Sequence, residues 1–159
     1  MKRTLMLLFA FVVAAMSNEE VEKLAENLEM SIEDLQKCFN KSNTVFEELT
    51  NIYRIVKDNM QTTNFDEKAL RIGCFVTCFG QNKEVVKGTN INIDKFKNIV
   101  YTRLKWGERI NDFPKWDQML DTCYNQVKSE TDECKLGIKA TVCYANEMGY
   151  FKNDDYSDI

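Results

Sequence analysis

Six cysteines, at positions 38, 74, 78, 123, 134 and 143, are the residues of this chain best suited to chemistry. The gaps between them hold 35, 3, 44, 10 and 8 residues. In an oxidising compartment an even set of this kind makes three disulfides, whereas in the cytosol it would suggest metal or redox chemistry. The amino terminus decides between these readings. Lys2 and Arg3 form a charged start, Thr4 to Met16 an apolar run, and Ala15-Met16-Ser17 a small-x-small cleavage site before Asn18. That is the pattern of a secretory signal peptide over residues 1–17, too short to span a bilayer. The mature chain, residues 18–159, is expected to be a single extracellular domain.

The chain contains no histidine. This removes Ser-His and Cys-His nucleophiles, His-bearing zinc sites and an imidazole proton switch. Secreted phospholipases and pancreatic-type ribonucleases depend on a catalytic His and are disfavoured for the same reason. Carboxylate-only catalysis needs two acids held in one cleft, and no such pair stands out from the Asp and Glu spread along the chain. We therefore expect a protein that is not an enzyme, with no cofactor and no metal. The leader carries two of the 21 basic residues and none of the 25 acidic ones, so its removal takes the net charge from −4 to −6. An acidic chain without a basic cluster is a poor partner for nucleic acid or anionic membranes. Nothing after the leader is long and apolar enough for membrane insertion.

The elements that must position the cysteines read as helices throughout. Val21, Leu24 and Leu28 recur at helical spacing, and Ser31 with Asp34 caps a second segment carrying Ile32, Leu35, Cys38 and Phe39. Thr44 and Glu47 have capping-box spacing before a stripe of Phe46, Leu49, Ile52 and Val56. Another helix is expected from Asn64 through Cys74, Phe75, Cys78 and Phe79, followed by a loop from Gly80 to Ile91. Helix resumes near Asn92 with Ile93, Phe96, Val100 and Leu104, and breaks around Gly107 before Pro114, which suits a helix's first turn. Trp116, Met119, Leu120, Cys123 and Val127 follow, and a last helix opens near Thr131 or Asp132 and carries Leu136, Ala140, Cys143 and Met148. An acidic tail runs from Asn153 to Ile159. The fold class is all-α: a compact six-helix, disulfide-stapled domain enclosing an apolar cavity.

Helical geometry limits the pairing. Cys74 and Cys78 share one face of a helix, and a bond between them would distort it. Cys134 and Cys143, nine steps of about 100° apart, lie on opposite sides of theirs. Of the fifteen pairings that six cysteines allow, excluding these two bonds leaves about ten, and spacing does not choose among them.

The combination of Cys74-Phe-Val-Thr-Cys78 with the gaps of ten and eight around Cys134, on a secreted helical chain of this size, resembles the insect odorant-binding and pheromone-binding proteins. The resemblance covers residues 18 to 144. It implies the pairs Cys38–Cys78, Cys74–Cys134 and Cys123–Cys143, and a secreted carrier of small hydrophobic ligands such as odorants, pheromones or similar lipophilic semiochemicals. Offsets from the cysteines carry the family's lining positions onto Val76, Phe79, Leu120, Ala140 and Tyr144. The Tyr144 hydroxyl is a candidate partner for a ligand's polar end; Gln81 is a weaker one. Periodicity adds Ile32, Leu35, Phe46, Ile52 and Val56 as further walls, although such stripes more often form plain core. The loop from Gly80 to Ile91 lies where the family has a lid.

Disulfides of roughly 2 to 4 kcal/mol each let such a shell tolerate an unfilled interior. Relatives that release ligand on histidine protonation have no counterpart here, so release between about pH 5 and 7 should be weak. Asn40-Lys41-Ser42 is an N-glycosylation sequon two residues after Cys38, and Arg54, Arg71 and Arg103 are candidate partners for a fatty-acid carboxylate. Beyond the ligand, an odorant receptor and a second copy of the chain, as a homodimer, are candidate partners. The alternative reading is a secreted helical signalling or venom protein that acts through a protein receptor.

Overall fold

The computed structural model describes residues 18–106 and 113–149, and the side chains of 18, 103–106 and 113 are not among those described. The leader, the break expected at Gly107, the Arg103 side chain and the acidic tail lie outside the described residues. The described chain forms eight helices: α1 (Asn18–Leu28), α2 (Ile32–Ser42), α3 (Phe46–Thr50), α4 (Ile52–Asp58), α5 (Glu67–Asn82), α6 (Ile93–Trp106), α7 (Phe113–Val127) and α8 (Glu133–Glu147). Between α5 and α6 stands a two-stranded hairpin, β1 (Val86–Lys87) and β2 (Asn90–Ile91).

Four of the helices start at short polar caps. Ser31 Oγ accepts from the Asp34 amide at 3.0 Å, Asp132 from the Lys135 amide at 2.8 Å, and Asn92 from the Lys95 amide at 3.0 Å. Each satisfies an amide that the first helical turn leaves without a partner. The helix expected from Asn64 begins later because Asp66 takes the cap, accepting from the Ala69 amide at 2.8 Å. Donation from that amide holds the Asp66 carboxyl below its usual range.

Eight helices form among the described residues where a six-helix domain was expected; the break before Ser31 was anticipated, and the division of the 46–56 stripe was not. Glu29 adopts a left-handed φ of 52° and separates α1 from α2, while Asn51 separates α3 from α4. The expected cap at Thr44 also moves one residue on. Thr44 Oγ1 instead donates to the Arg71 carbonyl at 2.9 Å, and Glu48 reaches back to the Val45 amide at 3.4 Å.

The loop expected over residues 80–91 is largely ordered as helix and hairpin. α5 continues to Asn82, and Val86 pairs with Ile91, Lys87 with Asn90. A two-residue turn closes the hairpin, with Gly88 at φ 61° supplying the left-handed conformation that such turns need.

α5 is the central helix. On one side Phe75 joins Ala25, Leu35 and Cys38 in a core cluster, with the Phe39 and Phe75 rings 5.2 Å apart. On another, Ala69 and Ile72 pack with Ile55, Val56 and Ile138. The bonds Cys38–Cys78, Cys74–Cys134 and Cys123–Cys143 tie α2 to α5, α5 to α8, and α7 to α8. These are the pairs that the family resemblance implies, and no described cysteine is free.

α5 and α8 cross so closely that two glycines are required. A Cβ at Gly73 would fall inside the van der Waals radius of the Cys134 carbonyl oxygen and 2.8 Å from the Ile138 nitrogen. One at Gly137 would collide with the Gly73 carbonyl and lie 2.7 Å from Thr77 Oγ1. The missing side chains let the two backbones meet beside the Cys74–Cys134 bond.

Candidate functional site

A cavity of about 410 Å³ opens between α5, the hairpin, α6 and α8. Its size falls within the roughly 300–1,000 Å³ usual for small-molecule sites. Helical spacing builds three of its walls: Val76, Thr77, Phe79, Gly80 and Lys83 from α5 and its cap, Phe96, Ile99 and Val100 from α6, and Leu136, Gly137, Ala140, Thr141 and Tyr144 from α8. Val85, Val86 and Ile91 of the hairpin close a fourth side, and Glu29 reaches the rim from the α1–α2 turn.

Most polar groups of the lining are already committed. Thr77 Oγ1 donates to the Glu133 carbonyl at 2.6 Å and Thr141 Oγ1 to the Gly137 carbonyl at 2.8 Å. At the rim, the Lys83 ammonium donates to the Glu29 carbonyl at 2.5 Å, lies 3.9 Å from the Glu29 carboxylate and sits 5.8 Å from the Phe79 ring centre. The interior is left almost wholly apolar. A second hollow, of about 500 Å³, lies between residues 60–65, α7 and α8, and is edged by Gln61, Thr62, Thr63, Gln126, Asn146 and Glu147. Its polar rim suits water better than an apolar guest.

Tyr144 is the polar exception inside the first cavity. Its ring packs on Phe96, with centroids 5.5 Å apart, and no described residue takes its hydroxyl as a hydrogen-bond partner. Burial, with a smaller contribution from the Asp121 carboxylate, pushes the phenol far above its ordinary value. The group is a hydrogen-bond donor at every physiological pH.

Charged side chains around the cavity fix its walls. Lys97 of α6 bridges Asp117 at 2.9 Å and Asp121 at 2.7 Å on α7. The Tyr101 hydroxyl also donates to Asp117, and burial next to that carboxylate raises the Tyr101 phenol to about 12. The hairpin is tied down on both flanks. Lys95 holds Glu84 at 2.6 Å, while the Gln81 amide donates to the Gly88 carbonyl at 3.2 Å and to Glu133 at 2.9 Å. Gln81 therefore belongs to the outer frame and is not a cavity donor.

Of the residues singled out in the sequence, Val76, Phe79, Ala140 and Tyr144 line the cavity. Leu120 does not: it is 1% exposed in the core. Ile32, Leu35, Phe46, Ile52 and Val56 do not line it either. Ile32 follows its cap directly and is 45% exposed, Leu35 belongs to the cluster around Phe75, Ile52 and Val56 pack with the cluster around Ile72, and Phe46 is half-buried at the start of α3. Leu35, Ile52 and Val56 face core because α2 and α4 pack on other faces of α5 than the one the cavity uses.

Arg71 is held by Glu48 and Arg54 is exposed, so neither reaches the cavity. Asn40 is exposed on α2, but the Ser42 hydroxyl of its sequon is buried and donates to the Cys38 carbonyl at 2.7 Å. The lining residues not assigned from sequence are chiefly Lys83, the hairpin valines, Ile91 and the Phe96–Val100 stripe. That stripe was visible as helix periodicity, without any sign that it faced a void.

An apolar cavity inside a small helical shell, cross-linked by three disulfides, defines a class of helical ligand-binding proteins. The chain belongs to the PBP/GOBP family, whose model matches residues 17–147. It is 21% identical over 145 residues, covering 90% of this chain and 88% of the relative, to the pheromone-binding protein Gp-9 of Solenopsis globularia littoralis. No solved structure matches the chain at the same stringency.

Proposed function

We propose that this protein is a secreted, non-catalytic carrier that binds a small hydrophobic ligand, such as an odorant, a pheromone or a similar lipophilic semiochemical, and transports it through an aqueous secretion. Residues 1–17 act as the signal peptide, and residues 18–159 form one domain. The observation that carries this reading is the cavity of about 410 Å³ with apolar walls, in a chain of the PBP/GOBP family. A ligand of about ten carbons gains roughly 0.8 kcal/mol per buried methylene, about 8 gross, against association costs of at least about 4. The difference, about 4 kcal/mol, corresponds to roughly millimolar affinity from chain burial alone, so the tighter binding a carrier needs also draws on close packing against the cavity walls and a polar contact for the head.

The three disulfides favour this role, because they hold a shell whose interior is not filled by side chains. The test is displacement of an apolar fluorescent naphthylamine probe by medium-chain alcohols, aldehydes and esters, with extraction of whatever ligand accompanies the natively secreted protein. Displacement of the probe and a co-purified lipophile are expected. Absence of probe binding and of any extracted ligand would refute the carrier and favour a receptor-binding surface.

A further inference from the structure

We infer that the ligand carries a neutral oxygen head, the carbonyl of an aldehyde, ketone or ester or the hydroxyl of an alcohol, and that the head accepts a hydrogen bond from the Tyr144 hydroxyl inside the cavity. This rests on the carrier reading and names the chemical class that the cavity takes.

The selection follows from which polar groups remain available. The Thr77 and Thr141 hydroxyls both donate to main-chain carbonyls. The Lys83 ammonium is engaged by the Glu29 carbonyl at the rim. Tyr144 alone of the lining hydroxyls has no protein partner among the described residues, while its ring is fixed against Phe96. A guest with a single acceptor satisfies it. A purely apolar guest leaves the phenol without a partner. An alcohol can also accept from Tyr144, and the Thr77 and Thr141 hydroxyl oxygens, whose protons go to main-chain carbonyls, keep lone pairs able to accept its proton. An ionised carboxylate must be stripped of water inside apolar walls, near the negative charge of Asp121 that already acts on Tyr144. Neutral oxygen-bearing guests should therefore bind ahead of carboxylates and of guests without an acceptor.

The experiment compares wild type with Tyr144→Phe, which removes one oxygen and keeps the ring. Decanal, decanol, decanoate and hexylbenzene each displace the naphthylamine probe, hexylbenzene serving as a guest without an acceptor. Decanal affinity should fall roughly two- to tenfold in the variant, as expected for one neutral hydrogen bond. Hexylbenzene affinity should stay the same or rise. In the wild type, the carbonyl stretch of bound decanal should lie at lower wavenumber than in hexane, a readout independent of whether the variant folds.

Equal decanal affinity in both proteins, or an unshifted carbonyl band, would overturn the assignment while leaving the carrier reading intact. So would decanoate binding tightest and losing affinity in Lys83→Met, which would place an anionic head at the rim. If the wild type binds neither the probe nor hexylbenzene, the carrier reading itself fails.

Discussion

Replacing Gly137 by alanine should destabilise the protein, although the same change in an ordinary helix would stabilise it. Gly137 lies in the middle of α8, where alanine is favoured by about 1 kcal/mol on helix propensity alone. The new methyl would collide with the Gly73 carbonyl and approach Thr77 Oγ1 to 2.7 Å. Relief requires α8 to move away from α5 at the crossing, and the neighbouring Cys74–Cys134 bond resists that movement. Overpacking of this kind costs about 3 kcal/mol, leaving a net loss of about 2 kcal/mol. For a domain of this size, 1 kcal/mol corresponds to about 3–4 °C in melting temperature, so Gly137→Ala should melt about 7 °C lower. Differential scanning calorimetry reads this directly. Because Gly137 also lines the cavity, ligand affinity should change in the same variant. A melting temperature equal to or above that of the wild type would refute the close-crossing argument.

The Cys123–Cys143 bond closes the shortest loop, a separation of 20 residues. Chain entropy assigns it about 3 kcal/mol, so the Cys123→Ser, Cys143→Ser double variant should melt about 10 °C lower, whereas an unchanged melt would show that α7 and α8 hold together without it. Glu48, nearly buried and hydrogen-bonded by Arg71, is held below its ordinary value of 4.5. Its contribution is fully present above that value and is lost as pH falls through the lowered one. Glu48→Gln should cost about 2 kcal/mol at neutral pH and flatten the acid side of a stability-against-pH curve; an unaltered acid limb would assign acid loss to other carboxylates. With no histidine in the chain, ligand affinity should vary less than about twofold between pH 5 and 7, and a titration showing a tenfold loss would require a strongly shifted carboxylate at the cavity.

The caps at Ser31 and Asp132, the helical stripes and the distant partners required of Cys74 and Cys78 were legible because they depend on neighbours within a turn or two. Short-range signals also misplaced some features. Thr44 has the spacing of a capping box, but its hydroxyl is drawn to the Arg71 carbonyl across the fold, and the cap passes to the next residue. The segment after Gly80 looks like loop by composition, yet contacts among Gly80, Val86 and Ile91 order it as hairpin.

The sequence by itself determined an all-α, cysteine-linked chain, a chemistry without imidazole, and a short set of residues around the cysteines from which cavity walls would come. Tertiary structure decided which apolar stripe is core and which is wall. Leu35 and Val100 have the same kind of periodicity, but Leu35 meets Ala25 and Phe75 while Val100 faces open space. Periodicity reports only that a face turns away from water, because it is a property of one helix. Whether that face meets another side chain or a void depends on how closely the helices approach, which Gly73, Gly137 and the Cys74–Cys134 bond set together.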